Sequence, residues 1–198
     1  MNKEEKEKVA ARASALAEEY VPTYWGCAQT TFTAIVNALR EAGVELCTKE
    51  DQEEMFKGLV GLSGGYGNLG IGNCGALAGS AFAVSLFSGI DRQKQLEDKD
   101  NRRLAFENVA NTIVQKFIAE FDGLSCRAVN WARWGKWCDS WDPKAKQEFN
   151  RDEQARGCMF QGRCTMSLAA KWTTAYILDL KDKPLTLAQV KAKFGEVH

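Results

Sequence analysis

The chain has 198 residues, 45% of them hydrophobic, and its 26 lysines and arginines balance 26 aspartates and glutamates. A chain of this length is expected to form one domain, over 1–198, that buries roughly 70% of its unfolded surface. Zero net charge gives no field to draw nucleic acid or an anionic membrane, and the longest nearly uncharged run, CGALAGSAFAVSLFSGI from Cys74, is short for a membrane span.

The opening MNKEEKEKVAARASALAEEY is charged and amphipathic, with no apolar signal region, so a cytoplasmic location is expected. Residues 3–19 read as a helix that Pro22 should stop. From Trp25 to Ala42, Ala28, Phe32, Ile35, Val36 and Leu39 recur at helical spacing, and Gly43 is a stop. TKED at 48–51 is a capping box for a short helix carrying Met55, Leu59 and Val60. A glycine-rich loop follows, then a compact helix from about Cys74 to Leu86. Leu104, Phe106, Val109, Ile113, Phe117 and Phe121 predict one long amphipathic helix ending at Gly123. Residues 124–163 read as an irregular insertion rich in Trp, Cys and charge. A last apolar helix covers about 165–180, Pro184 interrupts, and TLAQ caps a short terminal helix from Thr186. No stretch alternates apolar and polar residues. The expected fold is therefore all-α: a bundle-like helical domain with its core at about 20–180, a glycine-rich loop and the 124–163 insertion.

Seven cysteines, at 27, 47, 74, 126, 138, 158 and 164, are many for such a chain. Their odd number without a secretion signal argues against a pure disulfide framework. No C-x-x-C occurs, which removes zinc ribbons, a thioredoxin-type dithiol and covalent haem attachment. His198 is the only histidine, so His-based zinc catalysis, Cys-His pairs and Ser-His-Asp triads have no basis. Any chemistry falls to sulfur.

Gly65, Gly67 and Gly70 satisfy G-x-G-x-x-G, but the segment before them reads as helix rather than strand, and no Gly-Lys-Ser/Thr ending supports a phosphate loop. Cys74 instead falls where the loop meets a helix. Free amides of a first turn and the positive end of the helix dipole favour a thiolate, and are expected to lower its pKa. Glycines let the backbone approach a sulfur or a metal–sulfide cluster without a Cβ in the way; Gly72, Asn73 and Gly75 are the candidates to line a cofactor there. A tight turn leading into a small-residue packing helix explains the segment equally well.

Cys27-Ala28-Gln29, the Cys74-Gly75-Ala76-Leu77-Ala78-Gly79 box, Leu124-Ser125-Cys126-Arg127 and Cys164 at the start of the last long helix together resemble the redox-active family named for its C-GCAxxG-C-C pattern. The resemblance covers about 20–180. It implies an all-helical domain and a redox role, and a related domain in split-Soret cytochromes carries an iron–sulfur centre. On that resemblance Cys27, Cys74, Cys126 and Cys164 would hold an iron–sulfur cluster, a [2Fe–2S] centre among the choices, with Cys158 as the alternative fourth ligand. Cys138 and Cys158 lie in the long 124–163 segment, which departs from the pattern. Zinc, or no cofactor with Cys27 and Cys74 as a catalytic thiol–disulfide pair, are the rival expectations. A third is a helical module that binds a partner and has no enzymatic role. The partner on the redox readings would be a protein.

Trp131, Trp134, Trp137 and Trp141 recur three, three and four residues apart, as one face of a helix. Such a stripe is expected to pack on the core; a cover over a cysteine site, or a docking surface for the redox partner, is the other reading. Cys47 reads as a small buried hydrophobe.

Overall fold

The computed structural model describes residues 1–151, 158 and 164–195. The first helix, α1, is Lys3–Tyr24. Asn2 opens it with a reciprocal capping box: its side chain accepts from the Glu5 N–H at 2.9 Å, and the Glu5 carboxylate accepts from the Asn2 N–H at 2.8 Å. Pro22 does not stop this helix, as the sequence predicts it should. It sits inside the last turn, where its fixed φ is already helical and only one hydrogen bond is forgone. Closure comes three residues later, at Trp25, whose left-handed φ of 54° ends the helix while its N–H still reaches the Val21 carbonyl at 3.1 Å.

Helix α2, Cys27–Glu41, lies at the centre of the molecule and buries eleven residues around its whole circumference, from Ala28 to Leu39. Its apolar residues recur at helical spacing, but its threonines are buried with them because neighbours enclose the helix on all sides. Helix α3, Lys49–Val60, starts at Thr48, whose hydroxyl accepts from the Asp51 N–H at 3.1 Å. Helix α4, Gly75–Ser88, has Cys74 as its N-cap and ends in left-handed Gly89. It crosses α2 closely at Gly79, where a Cβ would stand 2.3 Å from the Ala28 carbonyl oxygen.

After the short α5, Arg92–Glu97, come α6, Arg102–Val109, and α7, Gln115–Phe121, joined without a break by a π turn over Ala110–Val114. The sequence reads this rod as one regular amphipathic helix. The π turn accommodates an extra residue, so the inward positions run Asn108, Ile113, Phe117, Phe121, the first gap being five and the rest four. Phe106, assigned inward by the uninterrupted period, is 62% exposed.

The segment expected to be irregular contains two helices, α8, Cys126–Trp134, and α9, Pro143–Arg151. Ser125 caps α8 by accepting from the Ala128 N–H at 3.0 Å, a signal hidden by the surrounding Trp and Cys residues. Of the remainder of that segment, 152–157 and 159–163 lie outside the described residues. Helix α10, Thr165–Asp182, has Cys164 as its N-cap, and α11, Leu187–Phe194, opens with the predicted Thr186–Gln189 capping box.

Helices α1, α4 and α10 surround α2, and the core of Leu16, Phe32, Ile35, Leu39, Ile177 and Leu178 forms where they meet. Phe117 and Phe121 of α7 close one side against Trp172, with ring centroids 6.2 and 6.4 Å away. Among the described residues there is no strand, only one antiparallel bridge, between Asn73 and Ser125. The fold is all-α. No described helix is long and apolar enough to cross a membrane.

A cysteine-lined cavity as the candidate functional site

That isolated bridge is the hinge of the site. Cys74 donates its N–H to the Leu124 carbonyl at 2.8 Å, Cys126 to Gly72 at 2.9 Å, and Arg127 to Gly70 at 2.8 Å. The glycine loop is thereby laid edge to edge against residues 124–127, and the two cysteines at the ends of these segments are drawn together. The loop holds its own shape through N–H bonds from Gly67 to Gly61, Gly70 to Gly64 and Gly72 to Gly65. Gly65 shows why side chains are excluded: its φ is +70°, and a Cβ would come within 2.9 Å of the Cys126 Cβ.

Four cysteines mark helix starts. Cys27 and Cys126 are the first residues of α2 and α8, while Cys74 and Cys164 are the N-caps of α4 and α10. All four starts reach a single cavity of about 360 Å³. Cys27, Cys74 and Cys126 line it together with Cys158, and Thr165 and Met166 bring the first turn of α10 into its wall. Cys164 is 1% exposed and stands behind that wall. Its sulfur faces the amides of Met166 and Ser167, and its thiol is near enough to Cys158 to disfavour charge there. Cys47 is buried elsewhere, against Arg40, whose guanidinium donates to its carbonyl at 3.0 Å. All seven cysteines are free thiols.

Of the glycine-loop candidates, Gly75 sits directly beneath a sulfur, since a Cβ there would be 2.3 Å from Cys27 Sγ. Gly72 and Asn73 belong to the ladder that joins the loop to α8 rather than to the cavity wall. Ser63 ties the start of α2 to the loop, accepting from the Ala28 N–H at 3.1 Å and donating to the Gln29 side chain at 2.8 Å.

Hydrogen-bond donors point at the sulfurs. The Gly64 N–H donates to Cys27 Sγ at 3.2 Å, and the Asn130 side-chain amide to Cys126 Sγ at 3.4 Å. The Ala76 and Leu77 amides face Cys74. These donors nevertheless do not lower the Cys74 pKa, contrary to the expectation from its place at a helix start. Burial raises it well above the ordinary thiol value, the neighbouring Cys27 and Cys126 raise it further, and the two amides offset only part. Cys126 is pushed up to about 12 by burial and by Cys27. Burial likewise raises Cys158 and Cys164. Without a cation, these groups are neutral thiols at pH 7.

The mouth of the cavity is covered by a strap, the second of the two readings of the tryptophan segment, rather than by one helix face packed on the core. Gly135 turns left-handed, φ 62°, and ends α8 after Trp134, so Trp137 and Trp141 lie beyond the helix and the four indoles do not share a face. Nor is the stripe packed on the core: Trp131 is 55% exposed and Trp141 69%. Trp137 lines the cavity, lies against Gly70 and carries the Arg127 guanidinium 4.1 Å above its ring. Trp141 donates from Nε1 to the Gly67 carbonyl at 2.8 Å, and Cys138, between them, lines the cavity edge. The sequence pattern does not single out Gly64 or Asn130, although Cys126-x-x-x-Asn130, one helical turn apart, is legible in the chain.

The fold and the site define an all-α protein in which cysteines at helix starts enclose a sulfur-rich cavity. The chain belongs to the C_GCAxxG_C_C family, described as "Putative redox-active protein (C_GCAxxG_C_C)", whose profile matches residues 25–175 and so takes in all seven cysteines. No curated protein and no solved structure matches the chain.

Proposed function

We propose that the cavity binds an iron–sulfur cluster through Cys27, Cys74, Cys126 and Cys158, for electron transfer with a protein partner or for redox sensing in the cytoplasm. One observation carries the reading: five thiols, Cys27, Cys74, Cys126 and Cys158 with Cys138 at the edge, line a single space of about 360 Å³, on the order of ten water volumes. Among the described residues no three Cys, His, Asp or Glu side chains stand close enough to hold one metal ion. Thiols spaced around a volume suit a polynuclear cluster with terminal cysteine ligands better than the tetrahedron of a single zinc ion. Cys158 is preferred to Cys164 as the fourth ligand because it lines the cavity and Cys164 does not.

An iron–sulfur cluster supplies one-electron chemistry. The chain's own residues supply the rest. Helix starts and main-chain amides face the sulfurs and would stabilise negative charge on them. Val129, Met166 and the Trp137 indole supply apolar lining beside the thiols. Coordination also removes the thiol protons that burial otherwise retains.

The rival thiol–disulfide reading requires a thiolate at Cys27 or Cys74 near neutral pH. Burial of Cys74 works against it, because the neutral thiol is a poor nucleophile. Anaerobic purification separates the two. Bound iron with acid-labile sulfide and visible charge-transfer absorption, lost in Cys74→Ser and Cys126→Ser, supports the cluster. Colourless, iron-free protein that forms a Cys27–Cys74 disulfide on mild oxidation supports the dithiol.

A further inference from the structure

Asn130 follows Cys126 by one turn of α8, is 6% exposed and lines the cavity. Its Nδ2 lies 2.7 Å from the Cys126 carbonyl oxygen and 3.4 Å from Cys126 Sγ. A carbonyl oxygen only accepts, so the atom facing it is the amide nitrogen; its second N–H is then free to point at the sulfur. Asparagine is a costly residue to bury inside a helix, where its propensity is poor and its amide must leave water. Leucine would serve the packing better. Something other than packing accounts for an amide here.

The donors to Cys27, Cys74 and Cys126 differ in one respect. Cys27 and Cys74 are served by main-chain N–H groups, from Gly64 and from Ala76 and Leu77, which no substitution other than proline removes. Cys126 is served by a side chain. We propose that Asn130 is a positioning residue that sets the reduction potential of the site by donating an N–H···S bond to Cys126. This rests on the iron–sulfur reading above. An added electron increases the negative charge on the ligating sulfurs, so a donor to sulfur stabilises the reduced state more than the oxidised one and raises the potential. The bond to the Cys126 carbonyl, by contrast, contributes only to the shape of α8.

The test compares anaerobically purified wild-type protein with Asn130→Leu and Asn130→Asp. Asparagine to aspartate keeps the shape, removes both donors and adds charge; leucine removes the donors and stays neutral. Iron and sulfide content, the visible spectrum and the midpoint potential are measured for each. Retained cluster with the one-electron reduction equilibrium lowered about tenfold in Asn130→Leu, which is ~59 mV, is the expected result. A larger drop is expected for Asn130→Asp if it folds. Bound cluster with the wild-type potential in Asn130→Leu overturns the proposal and leaves the cluster reading intact. Folded variants that lose iron and sulfide also overturn it, since the amide would then hold the ligand in place rather than tune it. Wild-type protein with neither iron nor sulfide overturns both.

Discussion

At the scale of single residues, the site is a matter of which atoms are allowed near sulfur. Gly75 is the sharpest case. It is the first residue of α4, and a methyl group there would occupy the position of Cys27 Sγ, 2.3 Å away. Gly75→Ala is expected to cost about 1–3 kcal/mol through overpacking and to displace Cys27, so that iron binding falls more steeply than the melting temperature. Iron content measured beside a thermal melt checks the split; equal retention of both would show that Cys27 has room to move. Cys47→Ser should leave bound iron unchanged, because Cys47 lies apart against Arg40, whereas Cys74→Ser should abolish it. The family pattern marks Cys27, Cys74, Cys126 and Cys164 in the sequence, and the first three line the cavity while Cys164 stands behind its wall. The state of Cys74 could not be read that way. A helix start is visible in a sequence, but the burial and the two neighbouring thiols that outweigh it arise only when distant segments meet.

Among the elements, helices were legible wherever period and caps agreed, as at Thr48, Cys74 and Thr186. They were misread where one residue altered the period. The π turn at Ala110–Val114 shifts the inward face by a position, so Phe106 points out and Phe117 is fully buried. Phe117→Ala is expected to lose about 3–5 kcal/mol in denaturant unfolding, and Phe106→Ala to stay within about 0.5 kcal/mol of wild type. A regular helix through the segment would bring the two values together. The tryptophan stripe failed for a similar reason. A single left-handed glycine, Gly135, turns a supposed helix face into a strap whose Trp137 and Trp141 grip the glycine loop. Trp137→Ala should therefore leave anaerobic iron content near wild type and accelerate bleaching of the visible absorption in air, the readout of a cover rather than of a core residue.

On the scale of the whole molecule, two parts of unequal strength share the site. Helices α1, α4 and α10 pack around α2, and their buried side chains form one continuous core. Helix α8 has far less support. It touches α7, it is stitched to the glycine loop by three main-chain bonds, and it contributes Val129 as its fully buried apolar side chain. This division could not be read from the sequence, where the α8 segment differs from the others mainly in its tryptophans. A cluster would join the two parts, with Cys27 and Cys74 on the strong side and Cys126 on the weak one. Its binding free energy would then be spent chiefly on ordering α8, the loop and the strap. Removing iron with a chelator under mild oxidation is accordingly expected to raise amide hydrogen exchange across residues 63–74 and 124–142 by at least tenfold, while amides in α2 keep their protection. Exchange read by mass spectrometry on the intact chain resolves these segments. Uniform loss of protection, α2 included, would mean that the four-helix core needs the cluster to fold. No change in either part would mean that the loop ladder alone holds Cys126 in place, and that the cavity is preformed.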